Sequence, residues 1–464
     1  MQITIDTKIL KNSLIFLSSS LANNPEFPVL SNILVRCNPS DNSVILTTSN
    51  IETSVISKCA ATFDTDVSID FLIPAKQFIS IISSSSADKT ILKFSEKNYS
   101  LRYSLDQTSG KLKCLPAEDY PVPVFTKVST IKIKAYELWN MITKTIIACD
   151  SSDSNRVVLT GIHLSVSGNI FQMISGDGYR LAMFRHELDS IQNDIQSIVP
   201  SKYLKPLRSI LRKFDDEQEV EIQISDDSNG KIVFLIGDTC YAAQVLFGPF
   251  PNVSGILNMA YDKALEISVP ALNESINMHS SYTIDSFGTT HFKANSSGQY
   301  CMVSASKESG AVGTVIANLD GITEFPDICF NIKFLSDFIK VCGDDSIFVY
   351  LNIFSTPIFI RPVSDVAKDV NKANIGYSYY IMPISEIEII SDQEYGFDAV
   401  DQLQQANNPN QKQIDPMQTI SSSVNISEGI QINTETENDL DDGYPGLRRF
   451  VEGVTGVIDE NHPF

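Results

Sequence analysis

The feature that most constrains the fold of this chain is a pattern that returns about every 130 residues. An apolar stretch, a two-residue break, a lysine and then apolar residues at helical spacing occur at 71–82, 197–211 and 328–341. The lysines of successive copies are 126 and 131 residues apart. Each copy predicts a strand that runs directly into an amphipathic helix. A repeat of this length indicates tandem domains and not a solenoid of short units.

Two further markers recur with the same period. An aromatic residue precedes proline at Tyr120-Pro121 and Phe250-Pro251, and Pro383 follows an apolar strand at a similar distance. Apolar residues at helical spacing predict a helix near the start of each copy, at 7–21, 135–148 and 270–279. The remaining residues of each copy form short β-rich runs. This order predicts an α+β fold with antiparallel sheets, as three tandem domains, at 1–127, 128–259 and 260–388.

The composition changes after the third copy. Residues 391–464 contain 14 acidic and 3 basic residues, a net charge of −11 out of −21 for the whole chain. They are rich in Gln, Asn and Ser and have few apolar clusters, which is typical of disorder. We therefore expect 389–464 to be an acidic, disordered tail. The less polar segment YPGLRRFV at 444–451 is a candidate docking motif within it.

Cysteine and histidine usage excludes several kinds of site. The eight cysteines include no CxxC pair, and the five histidines are scattered without a metal-ligand spacing. We expect free buried cysteines in a reducing compartment, no metal site and no cofactor.

The first residues lack the features of a signal peptide, and no apolar run reaches the length of a membrane span. These observations predict a soluble, intracellular protein with no membrane partner.

The stretch MISGDGYRLAM at 173–183 is open to three interpretations. Gly176-Asp177-Gly178 could be a phosphate-binding loop, a catalytic acid on a loop, or a turn. An Asp-Gly pair between two alternating apolar runs favours a hairpin turn, and the first copy has a turn at the equivalent place. The sequence contains no nucleophile motif, phosphate-binding loop or paired-carboxylate signature. We therefore predict no catalytic residue and no enzyme activity.

Basic residues cluster on the helix of the second copy. Lys205, Arg208 and Arg212 are spaced by three and four residues and share one face, and Lys202 begins the same helix. A single basic helix is usually only a solvated surface. Basic residues on equivalent helices of an otherwise acidic chain instead indicate contact with the phosphates of a polyanion. Such contacts are independent of nucleotide sequence.

Several short motifs together resemble the bacterial-type DNA polymerase sliding clamp, the beta subunit of DNA polymerase III. The resemblance covers about residues 1–386 and is carried by FPVLSNIL at 27–34, IPAKQF at 73–78, LPAEDYP at 115–121, GIH at 161–163, DGYRLA at 177–182, IVPSK at 198–202, FPN at 250–252 and YIMPI at 380–384. It implies a head-to-tail homodimeric ring of six clamp domains, with helices facing enclosed duplex DNA. It also implies a cytoplasmic, nucleoid-associated processivity factor that recruits the replicative polymerase, the clamp loader and other proteins with clamp-binding motifs.

The resemblance also implies particular site residues. Lys76 and Arg156 fall on basic family positions that face DNA. The partner-peptide pocket is expected to be lined by Leu159, Gly178, Tyr179, Arg180, Leu181, Pro251, Ile256, Tyr380, Ile381, Met382, Pro383 and Ile384. The chain departs from the family at Asn24, Val157, Val158 and Gly255, and the family has no acidic tail of this length. These departures leave an alternative open: a degenerate clamp that acts mainly as a protein-interaction hub, inhibited by its own tail.

Overall fold

The computed structural model describes most of the three repeated copies. The described residues are 1–22, 27–123, 129–151, 156–190, 194–224, 230–283, 288–295, 297–306, 310–319, 325–352, 356–366 and 375–384. The tail at 389–464, its candidate docking motif and the departure at Asn24 lie outside them. Among the described residues, no helix is long and apolar enough to cross a bilayer.

Helices occur at the positions that the repeat predicts. In chain order they are α1 (Thr7–Ser18), α2 (Ala75–Ser83), α3 (Ala135–Thr145), α4 (Ser201–Leu211), α5 (Ser254–Leu257), α6 (Val269–Ser280) and α7 (Ile332–Cys342). The three expected opening helices are α1, α3 and α6, and the three strand-to-helix stretches contain α2, α4 and α7. Each buries an apolar stripe, such as Leu204 and Leu207 on α4.

Strands follow each helix of a copy, as the sequence predicts, and one further strand precedes each opening helix, which the sequence did not predict. In the first copy they are β1 (Gln2–Asp6), β2 (Asn32–Asn38), β3 (Ser43–Ser49), β4 (Thr53–Phe63), β5 (Ile69–Pro74), β6 (Lys89–Ser95), β7 (Ser100–Leu105), β8 (Thr108–Lys113) and β9 (Leu115–Pro116). In the second they are β10 (Ser129–Lys134), β11 (Gly161–Ser167), β12 (Ile170–Gly176), β13 (Arg180–Glu187), β14 (Ile195–Pro200), β15 (Glu219–Ile224), β16 (Lys231–Ile236) and β17 (Thr239–Gln244). In the third they are β18 (Lys263–Ser268), β19 (Thr289–Ala294), β20 (Gln299–Ser306), β21 (Gly310–Asn318), β22 (Ile328–Asn331), β23 (Ser346–Leu351), β24 (Ile358–Pro362) and β25 (Gly376–Ile381).

The chain divides into two compact units. Unit 1 consists of 1–175 and 184–250, and unit 2 consists of 176–183 and 251–464. In unit 1, one sheet of 13 antiparallel strands joins the first and second copies through β4 and β17, where Val55 lies opposite Tyr241. The turn residues at 176–178 and the first half of β13 belong to unit 2. The three domain boundaries drawn from the sequence remain predictions.

Two sets of antiparallel strands form unit 2. One has the order β25-β24-β23-β18, and the other has the order β21-β20-β19-β22. Every residue of β25 is buried, including Tyr377 and Tyr379, and the ring of Phe338 on α7 stacks on Tyr377 at a centroid distance of 5.4 Å. Antiparallel sheets with helices packed against them, as α6 packs against β18 and β21, confirm the predicted α+β class.

Candidate functional site

The segment at 176–178 is a tight turn closed by its own aspartate. The backbone N–H of Asp177 donates to the Arg180 carbonyl at 3.3 Å. Oδ1 of Asp177 accepts from the backbone N–H groups of Tyr179 at 2.9 Å and Arg180 at 3.0 Å. Gly178 has a φ of 93°, in the left-handed region that favours glycine. These amides already have an acceptor, so the phosphate-binding interpretation is wrong and the hairpin-turn interpretation is confirmed.

The turn also brings the backbone carbonyl of Arg180 close to Gly176. A Cβ atom on this residue would lie 3.0 Å from the Arg180 carbonyl oxygen and 3.3 Å from Leu181 Cδ1. Any larger side chain would push the two arms of the turn apart. The turn therefore fixes where β13 starts and where its first side chain, that of Arg180, is directed.

Arg180 lies at the centre of a buried ion-pair network in unit 2. Its Nε donates to Asp177 Oδ2 at 2.9 Å, and its Nη1 donates to Asp337 Oδ2 at 2.8 Å. Nη1 also lies 3.4 Å from the Tyr379 hydroxyl, and the guanidinium carbon lies 4.6 Å from the centre of the Phe334 ring. The Arg180 side chain is 10% exposed. Arg180 therefore braces the turn against α7 and β25, and its guanidinium is already committed to protein partners.

The electrostatics of this network are set by burial and by its acidic partners. Burial opposes the positive charge of Arg180, but Tyr379, Asp337 and Asp177 outweigh it and raise the pKa of the guanidinium. Burial likewise raises the pKa of the Tyr379 hydroxyl. That hydroxyl donates to the Phe334 carbonyl at 3.1 Å. The guanidinium of Arg180 therefore stays positively charged between the side chains of Asp177 and Asp337.

The end of β25 lies against the same turn. The backbone N–H of Met382 donates to the Tyr179 carbonyl at 2.8 Å, which joins the segment after the turn to the segment after β25. The Tyr179 side chain is 55% exposed, and Met382 is half-buried. The Tyr380 ring stacks on Phe359 at 4.7 Å. The structure therefore brings together two of the predicted pocket segments, 178–181 and 380–382, with an accessible aromatic ring at their junction.

The other predicted pocket residues are placed less directly. Pro251 and Ile256 belong to unit 2, before and within α5, and Ile256 is 3% exposed. Leu159 is buried in a short 3₁₀ helix of unit 1. Leu181 and Ile381 are also buried, whereas Pro383 and Ile384 are half-buried. Their role as lining residues remains a prediction.

The basic residues of α4 lie on its accessible side, and two of them have partners within unit 1. Lys205 is exposed and Arg208 is half-buried. Lys202 Nζ lies 3.2 Å from Glu52 Oε1, and the guanidinium carbon of Arg212 lies 4.6 Å from the Trp139 ring. Lys202 is therefore already paired with an acid from the first copy, which the sequence did not predict.

The basic residues expected from the resemblance also differ in their surroundings. Lys76 is exposed on the first turn of α2. Arg156 Nη2 lies 3.7 Å from Asp150 Oδ2, with the Arg156 side chain 23% exposed. Lys76 and Lys205 are thus exposed, whereas Lys202 and Arg156 each lie beside an acid. A role for any of them in DNA contact remains a prediction. Among the described residues, no group of three or more His, Cys, Asp or Glu side chains could hold a metal ion.

Sequence reasoning missed the partners of Arg180 and Lys202. Asp337, Phe334 and Tyr379 give no local signal, because they lie on a helix and a strand far along the chain. The separation between Arg180 and Asp337 is 157 residues, and that between Lys202 and Glu52 is 150. Pairs of this kind become visible only in the folded structure.

Two substitutions at Asp177 separate its hydrogen bonds to the turn amides from its ion pair with Arg180. Asp177→Asn keeps an oxygen for the two turn amides and loses only the charge, whereas Asp177→Ala loses both. We expect the free energy of unfolding of unit 2 to fall by about 1–2 kcal/mol for Asn and by about 2–4 kcal/mol for Ala. Urea denaturation would measure both values. Equal losses for the two variants would contradict the hydrogen-bonding role of Oδ1.

Comparisons with protein families match two consecutive parts of the chain. Residues 1–124 match a family model described as the DNA polymerase III beta subunit, N-terminal domain. Residues 132–252 match the model described as the central domain of the same subunit. Together the two models cover more than half of the chain.

Curated relatives and solved structures agree with this match. The chain is 26% identical to the beta sliding clamp of Buchnera aphidicola over 368 residues, which cover 78% of this chain and 96% of the relative. It is 20% identical to that of Synechococcus elongatus over 378 residues, covering 81% and 96%. The crystal structure of the Bacillus subtilis DNA polymerase sliding clamp superposes with a TM-score of 0.72 at 21% identity, covering 83% of this chain and all of that one. The fold is therefore that of these clamps.

Proposed function

The chain belongs to the DNA polymerase III beta subunit family, the sliding clamps, and from this premise we propose that it encircles duplex DNA and tethers a replicative polymerase to it. Sliding clamps are non-catalytic, in agreement with the lack of catalytic motifs in the sequence. In this function, closure of a ring around DNA replaces tight binding. An acidic protein can then be retained on DNA while it slides freely.

The exposed cations on α2 and α4 support contact with DNA. Lys76 and Lys205 are exposed on the second helix of the first and second copies. In the ring that we propose, these helices face the duplex, and their cations contact phosphates without reading bases. Lys202, Arg208, Arg212 and Arg156 extend the same basic surface, with Lys202 and Arg156 exchanging an acidic partner for a phosphate.

The junction between Tyr179 and Met382 carries the proposal of a partner-peptide pocket. It combines an exposed aromatic ring, a flexible thioether side chain and a wall braced by the buried Arg180 network. Methionine adapts its shape to different apolar side chains, which suits a pocket with several partners. The partners proposed for it are the replicative polymerase, the clamp loader and other proteins that carry clamp-binding motifs. All act on DNA in the cytoplasm.

A homodimer follows from the number of domains in one chain. Three clamp domains form half of a six-domain ring, so two chains arranged head to tail would close it. The mass in solution should then be twice that of one chain. The alternative of a tail-inhibited interaction hub depends on residues outside the described part of the chain, and the exposed Lys76 and Lys205 favour the DNA clamp.

Retention on circular DNA tests the tether directly. The full-length protein is loaded by a clamp loader onto nicked circular DNA, and its dissociation is followed before and after the DNA is cut by a restriction enzyme. We expect linearisation to accelerate dissociation at least about 10-fold, because a closed ring can leave only over a free end. Equal dissociation from the circular and linear forms would overturn the tether.

Charge reversal tests which surface faces the DNA. The double variant Lys76→Glu, Lys205→Glu should load less efficiently onto the circular DNA at moderate salt. The double variant Lys111→Glu, Lys113→Glu is the matched control, because both are exposed lysines on β8 and not on a helix of the repeat. If both proteins lose loading equally, the helices are not the DNA-facing surface.

A further inference from the structure

The helices that open the three copies begin at structurally equivalent residues. In each copy the first N–H group of this helix donates to the carbonyl of the residue just before the strand that follows the second helix. The donor and acceptor residues are Thr7 and Asp88 at 3.0 Å, Ala135 and Gln218 at 2.8 Å, and Val269 and Asp345 at 2.8 Å. These hydrogen bonds align α1, α3 and α6 residue by residue, so the three copies can be compared at each position.

The second and fifth positions of the aligned helices carry different side chains. In the first copy they are Lys8 and Lys11 on α1, whereas in the second copy they are Tyr136 and Trp139 on α3. The third copy has a proline and an asparagine there. Tyr136 is 42% exposed and Trp139 is half-buried. The second copy therefore has two accessible aromatic rings where the first copy has two cations.

The two rings lie together, and a cation at the end of α4 lies over one of them. The ring centres of Tyr136 and Trp139 are 5.9 Å apart, and the ring planes are inclined by 33°. The guanidinium carbon of Arg212, an exposed residue, lies 4.6 Å from the centre of the Trp139 ring. Aromatic rings and arginine guanidinium planes are the groups on which unpaired bases stack. The bases of a duplex already stack on one another, so this cluster suits a single strand.

Basic residues extend from this cluster in one direction along α4. Arg208 and Lys205 precede Arg212 at spacings of four and three residues, so the three cations share one face. In the other direction, the exposed carboxylates of Asp215 and Asp216 follow α4. Phosphates are attracted by the cations and repelled by the carboxylates. A strand whose bases stack beside Arg212 would therefore run towards Lys205.

We propose that the cluster of Tyr136, Trp139 and Arg212 stacks the unpaired bases of single-stranded DNA, while Arg208 and Lys205 contact the phosphates of the same strand. Proteins that bind single strands combine cations along the backbone with aromatic rings beneath the bases, and such stacking tolerates any base sequence. This inference rests on the proposed function, because it assigns the α4 surface a second form of DNA. That form is the single strand that a polymerase has yet to copy.

Trp139 is the only tryptophan of the chain, so tryptophan fluorescence reports on this cluster alone. The full-length protein is titrated at low salt with a dT oligonucleotide of about 15 nucleotides, with an abasic strand of the same length and with the dT·dA duplex. We expect dT to quench the emission and to bind at least about 5-fold more tightly than the abasic strand, and the duplex to leave the emission unchanged.

Equal affinities for dT and the abasic strand, measured by the anisotropy of fluorescein-labelled strands, would overturn the proposal. Unchanged emission at saturating dT would overturn it as well. The assay needs neither a clamp loader nor a closed ring. Failure of base stacking and failure of the proposed tether on circular DNA are therefore separate results.

Substitutions separate stacking from charge. Tyr136→Ala changes an exposed helical position and should weaken dT binding about 5-fold, with no effect on the abasic strand. Arg212→Met should weaken the binding of both strands, because it also removes a charge near the phosphates. Phe247→Ala is the matched control, since Phe247 is a 64% exposed aromatic residue of unit 1 on neither helix, and it should leave both affinities unchanged. Equal dT affinities of Tyr136→Ala and Phe247→Ala would refute the stacking role.

Discussion

Replacement of Arg180 with methionine is expected to lower the free energy of unfolding of unit 2 by about 3–5 kcal/mol. Methionine keeps much of the length of the side chain but removes the charge. The carboxylates of Asp177 and Asp337, which are 15% and 22% exposed, would then lie close together without a cation between them. An uncompensated buried charge costs far more than the net value of the intact pair. Urea denaturation followed by circular dichroism measures the loss.

Two further variants make this experiment specific. Arg180→Lys keeps the charge but cannot donate to Asp177 and Asp337 in the same forked geometry, so an intermediate loss is expected. Arg208→Met is the matched control, because Arg208 lies half-buried on α4, and it should change the stability by less than about 0.5 kcal/mol. A loss below about 1 kcal/mol for Arg180→Met would contradict the bracing role.

The second large effect is expected at acidic pH and comes from the buried His279. This histidine is fully buried on α6, and its Nδ1 and Nε2 lie 2.9 Å from Ser304 Oγ and 3.0 Å from Thr314 Oγ1. Ser304 Oγ in turn lies 2.6 Å from Thr290 Oγ1. A neutral imidazole can donate to one hydroxyl and accept from the other, whereas an imidazolium must donate to both. Burial lowers the pKa of His279 to about 4.

The direction of the pH effect follows from this shift. The unfolded chain binds the proton near pH 6.5, and the folded chain binds it only near pH 4, so the unfolded state takes up more protons between these values. The stability from the neutral histidine is therefore complete above about pH 6.5 and is lost as the pH falls towards 4. Lowering the pH from 7.5 to 5 should remove about 2 kcal/mol.

A non-titrating variant isolates this histidine from other groups. His279→Gln retains a donor and an acceptor but no proton equilibrium in this range. Urea denaturation measures the stability of the wild-type protein and of His279→Gln at pH 7.5 and at pH 5. For each protein the difference between the two pH values is calculated, and other titrating groups contribute equally to both differences. The wild-type difference should be larger by about 2 kcal/mol. Identical differences would show that His279 does not titrate with the assigned pKa.

The sequence predicted the elements of the fold because their signals are local. The strand-to-helix stretches were visible from apolar spacing within 15 residues, and α1, α3 and α6 were found at the predicted positions. The turn at Asp177 was predicted for the same reason, since its two amide partners are Tyr179 and Arg180. Local hydrogen bonds and periodic burial leave a pattern that one sequence can reveal.

The candidate site was only partly predictable. The resemblance to the family indicated which segments form the pocket, and the contact between Tyr179 and Met382 brings two of them together. No pattern in the sequence indicates that Arg180 is buried between two carboxylates. Its neighbours Leu181 and Tyr179 gave no sign of Asp337, because the pairing depends on how α7 packs in three dimensions.

The separation of Arg180 from its partners also sets the order of events during synthesis. Asp337 and Tyr379 follow it by 157 and 199 residues. At about 5–20 residues per second, the ribosome needs roughly 10–40 s to reach Tyr379 after Arg180 has been made. Unit 1 has all of its own residues once Phe250 emerges. The turn at Gly176–Gly178, which lies in the middle of the chain, must wait for α7 and β25, the last described helix and strand, before the set of partners around Arg180 is complete.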